Sequence, residues 1–196
     1  MSRRLRFAAV AVLVAASLAG LAACGGKPAQ YFRLSAETGG GPMSRRGGIA
    51  VGIGPVTLPG YIDRLPLVFQ SDTNEFQVPA KASWAGPLNE NIAQVLSDDV
   101  GHKLGSGNVV PFPWPNNTRL RYQVVVNVEQ FHGVSGREAI LDVTWLVEEP
   151  NSRAILSRHK ANFREPIQGD GYSALVAAQS RLVDQLAEAV ARSVRR

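Results

Sequence analysis

Three consecutive segments in the second half of the chain alternate apolar and polar residues, and this pattern leaves few folds open. Tyr122, Val124, Val126 and Val128 lie opposite Arg121, Gln123, Asn127 and Glu129, with Val125 the single exception. Ala139, Leu141, Val143, Trp145 and Val147 form a second alternating face, and residues 154–163 a third. Successive side chains of a strand point to opposite faces, so each segment reads as a strand with one apolar side. The connections are short, which predicts an antiparallel meander. Its apolar face must be covered by another layer.

Two segments supply that cover. Leu88, Ile92, Val95, Leu96, Val100 and Leu104 recur near the 3.6-residue period, with Pro87 at the start and Gly105 at the end. Tyr172, Leu175, Val176, Leu182, Val183, Leu186, Ala189 and Val190 mark a longer helix, whose outer face and end carry Arg181, Arg192, Arg195 and Arg196. The expected architecture is a two-layer α/β sandwich, its sheet mostly antiparallel or mixed, with both amphipathic helices on one face. The other face is expected to be exposed and polar, carrying Arg121, Gln123, Asn127, Asp142 and Thr144.

The first half is less regular. Residues 31–35 have the bulk of a short strand, and the Gly-rich residues 36–48 read as a surface loop. Ile49, Val51 and Ile53 alternate with small residues that would admit a packed helix, until Gly54-Pro55 ends or bulges the strand. Residues 67–70 and 75–78 flank a polar turn, as in a hairpin. The alternate prolines Pro111, Pro113 and Pro115 forbid a helix and remove ladder donors. No repeat of 20 to 50 residues is visible.

The N-terminus has its own logic. Arg3, Arg4 and Arg6 precede an apolar run over residues 7–23 that ends in Leu21-Ala22-Ala23-Cys24. A positive start, an apolar stretch and small residues before a cut make an export signal, and no basic stop-transfer cluster follows. LAAC resembles the bacterial lipobox, in which the cysteine sulfur is diacylated, the preceding bond is cut and the new amine is usually acylated as well. Cys24 is the one cysteine of the chain, so no internal disulfide can form. Residues 1–23 are expected to be removed, residues 24–30 to form a lipidated tether and residues 31–196 a single domain. From Cys24 to Tyr31 a fully extended tether reaches about 25 Å. Several acyl chains meet the two-signal requirement for stable anchoring. By the sorting rule for such lipoproteins, Gly25 after the cysteine implies the outer membrane.

Removing the signal also lowers the net charge from +5 to +2, so strong nucleic-acid binding is not implied. With 45% hydrophobic and 19% charged residues, the chain can build a packed core. The sequence offers little chemistry. His102, His132 and His159 lack metal-ligand spacing, and Asp98 and Asp99 diverge by about 100° on a helix. Ser157-Arg158-His159-Lys160 matches an acyl-serine motif by letters alone, since it lies in a strand pattern. No metal, no cofactor beyond the acyl chains on Cys24 and no enzymatic activity are expected. More informative are apolar residues in loops: Phe112, Trp114, Trp84, and Tyr61 with Asp63 and Arg64, each either an exposed contact or a ring folded back on the core.

Several segments in order resemble the ABC-type transport auxiliary lipoproteins, a group that includes the paraquat-inducible protein C family. They are Tyr31-Phe32-Arg33-Leu34, Ile53-Gly54-Pro55-Val56-Thr57-Leu58-Pro59-Gly60-Tyr61-Ile62-Asp63-Arg64 and Trp84-Ala85-Gly86-Pro87-Leu88. Phe112-Pro113-Trp114, Phe131-His132-Gly133 and residues 172–180 come next at matching spacing. Gly86 departs from the pattern, where a larger, often acidic residue is expected. The resemblance implies a periplasm-facing outer-membrane lipoprotein that serves an MCE-type lipid-transport system as a docking component. Its partner would be the MCE tunnel protein, and a homo-oligomer stays open. Tyr61, Asp63, Arg64, Trp84 and Trp114 carry over as candidate partner-binding positions. Two other readings remain beside it: a periplasmic lipid-binding carrier, and an activator of a cell-wall enzyme.

Overall fold

A computed structural model describes residues 28–37, 47–134 and 137–195. The expected signal segment, Cys24 and residues 38–46 of the expected loop lie outside the described residues. In chain order the elements are β1 (Gln30–Phe32), β2 (Val51–Thr57), β3 (Phe69–Asp72), β4 (Glu75–Gln77), β5 (Ala82–Trp84), α1 (Leu88–Leu104), β6 (Val109–Pro111), β7 (Tyr122–Val134), β8 (Glu138–Glu148), β9 (Ile155–Pro166) and α2 (Gly171–Val194).

The meander forms as its alternation dictates. β7, β8 and β9 are antiparallel neighbours, and Val126, Trp145 and His159 stand in one row across them. One irregularity in β7 changes which side chains reach each face of the sheet: Val128 opposes Val143, while Gln130 opposes the next residue, Asp142. The extra residue, Glu129, is a bulge that resets the alternation. Phe131 therefore turns into the core, 1% exposed, and His132 turns to the opposite face.

On the other side of β7 the sheet is parallel. β2 runs beside its first half, with β6 outside β2, and β3 runs beside its end, with β4 completing a hairpin. The mixed sheet thus has seven strands. β1 and β5 make a separate two-stranded parallel sheet. It is tied to the helices by the Leu34 amide, which donates to Asn91 Oδ1 at 2.7 Å, and by the Ser35 amide, which donates to Ser180 Oγ at 3.1 Å.

Both helices lie on one face. α1 packs on β2 and β6, α2 on β7, β8 and β9, and each on the other. Helix α1 begins after Pro87 and stops at Gly105, whose φ of 63° suits glycine. There the Ser106 amide reaches back to the Gly101 carbonyl at 2.9 Å, the bond that closes many helix ends. Val51, Ile53, Val124, Val126 and Val143 of the sheet meet Leu96, Val100, Leu182, Leu186 and Val190 of the helices, all fully buried. Burial of each such side chain contributes about 1.5–3 kcal/mol. Lys103 Nζ meets Asp184 Oδ1 at 2.7 Å and joins the two helices. Among the described residues, no helix is long and apolar enough to cross a membrane.

The uncovered face corrects two expectations. Gly52 does not admit a helix. The loop from β6 to β7 must cross β2 to reach the far side, and it crosses on the face opposite the helices. Trp114 and Leu120 of that loop lie where a Cβ on Gly52 would come within 2.8 Å of the ring and 2.6 Å of Leu120 Cδ1. Nor is the polar face uniformly exposed. Asn127 and Arg121 are exposed and Thr144 is half-buried, but Gln123 is 3% and Asp142 7% exposed. Long side chains from β9 and from the turn that precedes it lie over them. Arg164 Nη1 donates to Asp142 Oδ1 at 2.6 Å, and Arg153 Nη1 donates to Gln123 Oε1 at 3.0 Å. Gln123 Nε2 in turn donates to the Gly54 carbonyl at 2.9 Å, which fixes the irregular part of β2.

Candidate functional site

The sequence candidates fall into four environments. Cys24 lies outside the described residues. Trp84, at the end of β5, is 4% exposed and belongs to the core, so its ring offers almost no surface to a partner. Trp114 is half-buried over Gly52, edge-on to Phe112 with ring centroids 5.4 Å apart, and Phe112 is 46% exposed. Tyr61, Asp63 and Arg64 share a turn after β2, in which the Ile62 and Asp63 amides both donate to the Pro59 carbonyl at 3.0 and 3.1 Å. That turn sends Asp63 and Arg64 into solvent and Tyr61 onto the uncovered sheet face.

Tyr61 completes a cluster there. Its hydroxyl lies 2.9 Å from His132 Nδ1, and His132 Nε2 lies 3.3 Å from Gln70 Oε1. Gln70 already donates its amide nitrogen to the Thr73 carbonyl at 2.8 Å, so its oxygen is the acceptor. The tautomer is thereby set: Nε2 carries the proton, Nδ1 accepts, and the Tyr61 hydroxyl donates. Phe76 of β4 closes the cluster, 4.9 Å from the Tyr61 ring and 5.0 Å from the imidazole, edge-on to the latter. Only 1% of His132 remains exposed, against 42% of Phe76. Burial lowers the His132 pKa to about 4; the negative charge of Asp142 opposes this and the positive charge of Arg164 adds to it. Burial likewise raises the Tyr61 hydroxyl above its usual range. Both shifts favour the neutral forms of the imidazole and the phenol near pH 7.

Next to this cluster the uncovered face is charged and paired. Burial raises the Asp142 carboxyl, but hydrogen bonds from Arg164 and Asn162 and the charges of Arg164 and Lys160 outweigh it and leave the group below its normal value. At the bulge, Glu129 accepts from Lys160 Nζ at 2.8 Å and from Thr144 Oγ1 at 2.8 Å, and the Lys160 bond first holds its pKa down. A polar strip of fixed ion pairs thus separates two aromatic ends, Tyr61–Phe76 and Phe112–Trp114. Such a surface suits contact with another protein, in which exposed rings anchor and paired charges set orientation. Among the described residues, no three His, Cys, Asp or Glu side chains group as metal ligands.

His132, Phe76 and Gln70 are members that were not among the sequence candidates, although His132 lies in Phe131-His132-Gly133, one of the segments that carry the resemblance. His132 stood among three scattered histidines, and continuous even-numbered alternation along β7 would have placed it in the core. The Glu129 bulge was the deciding fact, and one extra residue leaves no local signal.

Recesses also lie elsewhere among the described residues. One, of about 320 Å³, is lined by Phe32, Arg33, Trp84, Glu90, Asn91 and Gln94 between β1 and α1. Another, of about 190 Å³, is lined mainly by Phe69, Gly133, Ile167, Tyr172 and Leu175 at the start of α2.

Comparison with known proteins places this arrangement. The fold matches an uncharacterized protein of known structure at a TM-score of 0.70 and 19% identity, over 86% of this chain and 99% of that one. It also matches XCC0632 from Xanthomonas campestris, described by the DUF330 family model, at 0.62 and 14% identity over 84% and 91%. No curated protein matches the sequence. Residues 32–191 match the family model of the ABC-type transport auxiliary lipoprotein component, which spans the sandwich from β1 to the last turn of α2, and the chain belongs to that family.

Proposed function

We propose that the protein is an outer-membrane lipoprotein, anchored through acyl chains on Cys24 and facing the periplasm. There it docks an MCE-type intermembrane lipid transporter. The observation that carries this reading is the family match over residues 32–191 directly behind a lipobox-like Cys24. With β1 starting at Gln30, the extended tether reaches roughly 20 Å. A domain held that close cannot travel, so a tunnel from the inner membrane must come to it. The uncovered face is the surface offered to that partner, through the exposed Phe76, Phe112, Asp63 and Arg64. A lipid carrier would need an apolar chamber; the recess of about 320 Å³ between β1 and α1 is lined by Arg33, Glu90, Asn91 and Gln94 beside its rings, and the more apolar recess beside α2 holds about 190 Å³.

The test is crosslinking of the full-length lipoprotein in native membranes, followed by affinity capture and mass spectrometry, with Cys24→Ala as the unanchored control. Recovery of an MCE-domain protein, reduced in that control and in Phe76→Ala/Phe112→Ala, is the expected result. Recovery of phospholipid alone, or of cell-wall synthases alone, would reject it. Phe76 and Phe112 are the more exposed rings of the two ends, and a thermal melt of each variant separates loss of the partner from loss of the cover over His132.

A further inference from the structure

The two-stranded β1–β5 sheet is the first folded structure after the tether, and its outer surface has an unusual composition. Tyr31 pairs with Ser83, and Ser83 also bridges Pro66 in antiparallel fashion, so these three side chains share one side. Phe32 and Trp84 point the other way, into the core. Tyr31 is 71% exposed on this side, while Leu65, whose carbonyl accepts from the Trp84 amide at 2.7 Å, lies opposite Trp84 at the rim of the sheet. The same alternation brings Arg33 and Lys81 to the outer side, both exposed. Arg64, next to Leu65, stands on the seam between this strip and the Tyr61 turn. The nearby acidic groups are Asp63 in that turn and Glu90 in the recess below Arg33.

We infer that this outer surface of β1–β5 rests on the bilayer that holds the anchor, with Tyr31 in the headgroup layer and Arg33 and Lys81 on anionic phospholipid. Two arguments converge on that occupant. The first is reach: Gln30 is six residues beyond Cys24, so this strip is the part of the domain the tether holds nearest to the membrane. The second is chemistry. Tyrosine prefers the level where one end of the ring is apolar and the other wet, and cations on long apolar stems place their charge among phosphates. A basic side chain near an anionic surface strengthens attachment by about fivefold. The inference rests on acylation at Cys24. It adds an orientation: the domain lies against the membrane through β1–β5, which fixes where its other faces can point.

With Cys24 acylated, a cysteine introduced elsewhere is the one free thiol, so the orientation can be read site by site. Tyr31→Cys and, as a control on the uncovered face, Asn162→Cys would be labelled with an environment-sensitive fluorophore in the full lipoprotein. The labelled chains are then reconstituted in phosphatidylcholine vesicles with and without phosphatidylglycerol. The expected result is a blue shift at position 31, quenching by lipid-borne quenchers, and strengthening of both by phosphatidylglycerol. Position 162 stays unquenched. In Arg33→Glu/Lys81→Glu the signal at position 31 falls while the protein still floats with the vesicles. Equal quenching at the two positions in a chain that floats overturns the orientation alone, as does a position 31 shielded by another protein chain. A chain that carries no acyl mass and does not float overturns the anchoring and the orientation together. Ser83→Cys repeats the reading should Tyr31→Cys fold poorly.

Discussion

The two faces of the large sheet are built on different principles. On the helix-covered face, Val124, Val126, Leu141, Val143 and Phe131 meet two helices, and apolar packing dominates. On the other face no layer covers the sheet, yet His132, Asp142, Gln123 and Glu148 are as buried as many core residues. They are covered piecemeal, by Tyr61 and Phe76 from one loop and hairpin, by Trp114 over Gly52, and by arginines reaching across strands. A continuous layer buries residues according to their period. A cover assembled from single side chains buries them according to which partner happens to arrive. The first kind of face tolerates little and recognises nothing; the second presents paired charges and half-exposed rings to solvent, and there a partner finds handles.

The contrast predicts where substitutions hurt. The largest effect belongs to the covered face. Phe131→Ala leaves a ring-sized void beneath α2, and such deletions cost about 3–5 kcal/mol. Chemical denaturation should show the midpoint collapsing. A loss under about 1.5 kcal/mol would mean that the face can close up, against its close-packed character.

The next effect tests the other face by pH. His132 titrates near 4 in the fold, against about 6.5 unfolded, so the unfolded chain binds more protons between those values. Stability is therefore complete above pH 6.5 and falls as pH drops toward 4, by at most about 3 kcal/mol. Asp142, with its carboxyl held below 3.8, loses its contribution only below that window. Melts at stepped pH should show the loss between 6.5 and 4 in the native protein and its near absence in His132→Gln. The same slope in both would show that His132 is not sealed by Tyr61 and Phe76.

A smaller effect separates the two aromatic ends. Gly52→Val drives two methyl groups into the space held by Trp114 and Leu120, and overpacking of this kind costs about 1–3 kcal/mol. Here the neighbours are a loop and can lift, so the signature is local. Trp84 and Trp145 are 4% exposed each, so a red shift with easier quenching of tryptophan fluorescence would report Trp114 alone. An unshifted spectrum would show that the loop holds the sheet by contacts other than this ring.

The difference between the faces also explains what could be read in advance. Period and capping residues reported the meander, both helices, Gly105 as a stop and the covered face, because those features depend on neighbours within a few residues. The cover on the other face depends on partners such as Tyr61 and His132, which lie 71 positions apart, and on a bulge that shifts the register of β7 without a distinctive residue. Gly52 announced a close approach correctly; its sequence could not say from which side, since that depends on the route of the β6–β7 loop. Likewise Trp84 and Trp114 are equally large rings close to prolines in the sequence, and the strand pairing of β5 decides that one is sealed and the other half-open.

The smallest effect is expected at the charge strip between the aromatic ends. Lys160 and Glu129 pair at 2.8 Å, but both side chains keep much of their surface in water, 59% and 36%. Exposed pairs gain little attraction, lose side-chain freedom and are screened by salt. Lys160→Met should thus leave the thermal midpoint within measurement error at any ionic strength, in contrast to Arg164→Met. That change leaves the Asp142 carboxylate buried without its main partner and should destabilise by about 1–2 kcal/mol. If the strip is there for a partner rather than for the fold, Lys160→Met should still weaken capture of the partner in native membranes, with salt weakening the native complex in parallel. A large loss of stability from Lys160→Met would reverse the assignment and make the strip part of the scaffold.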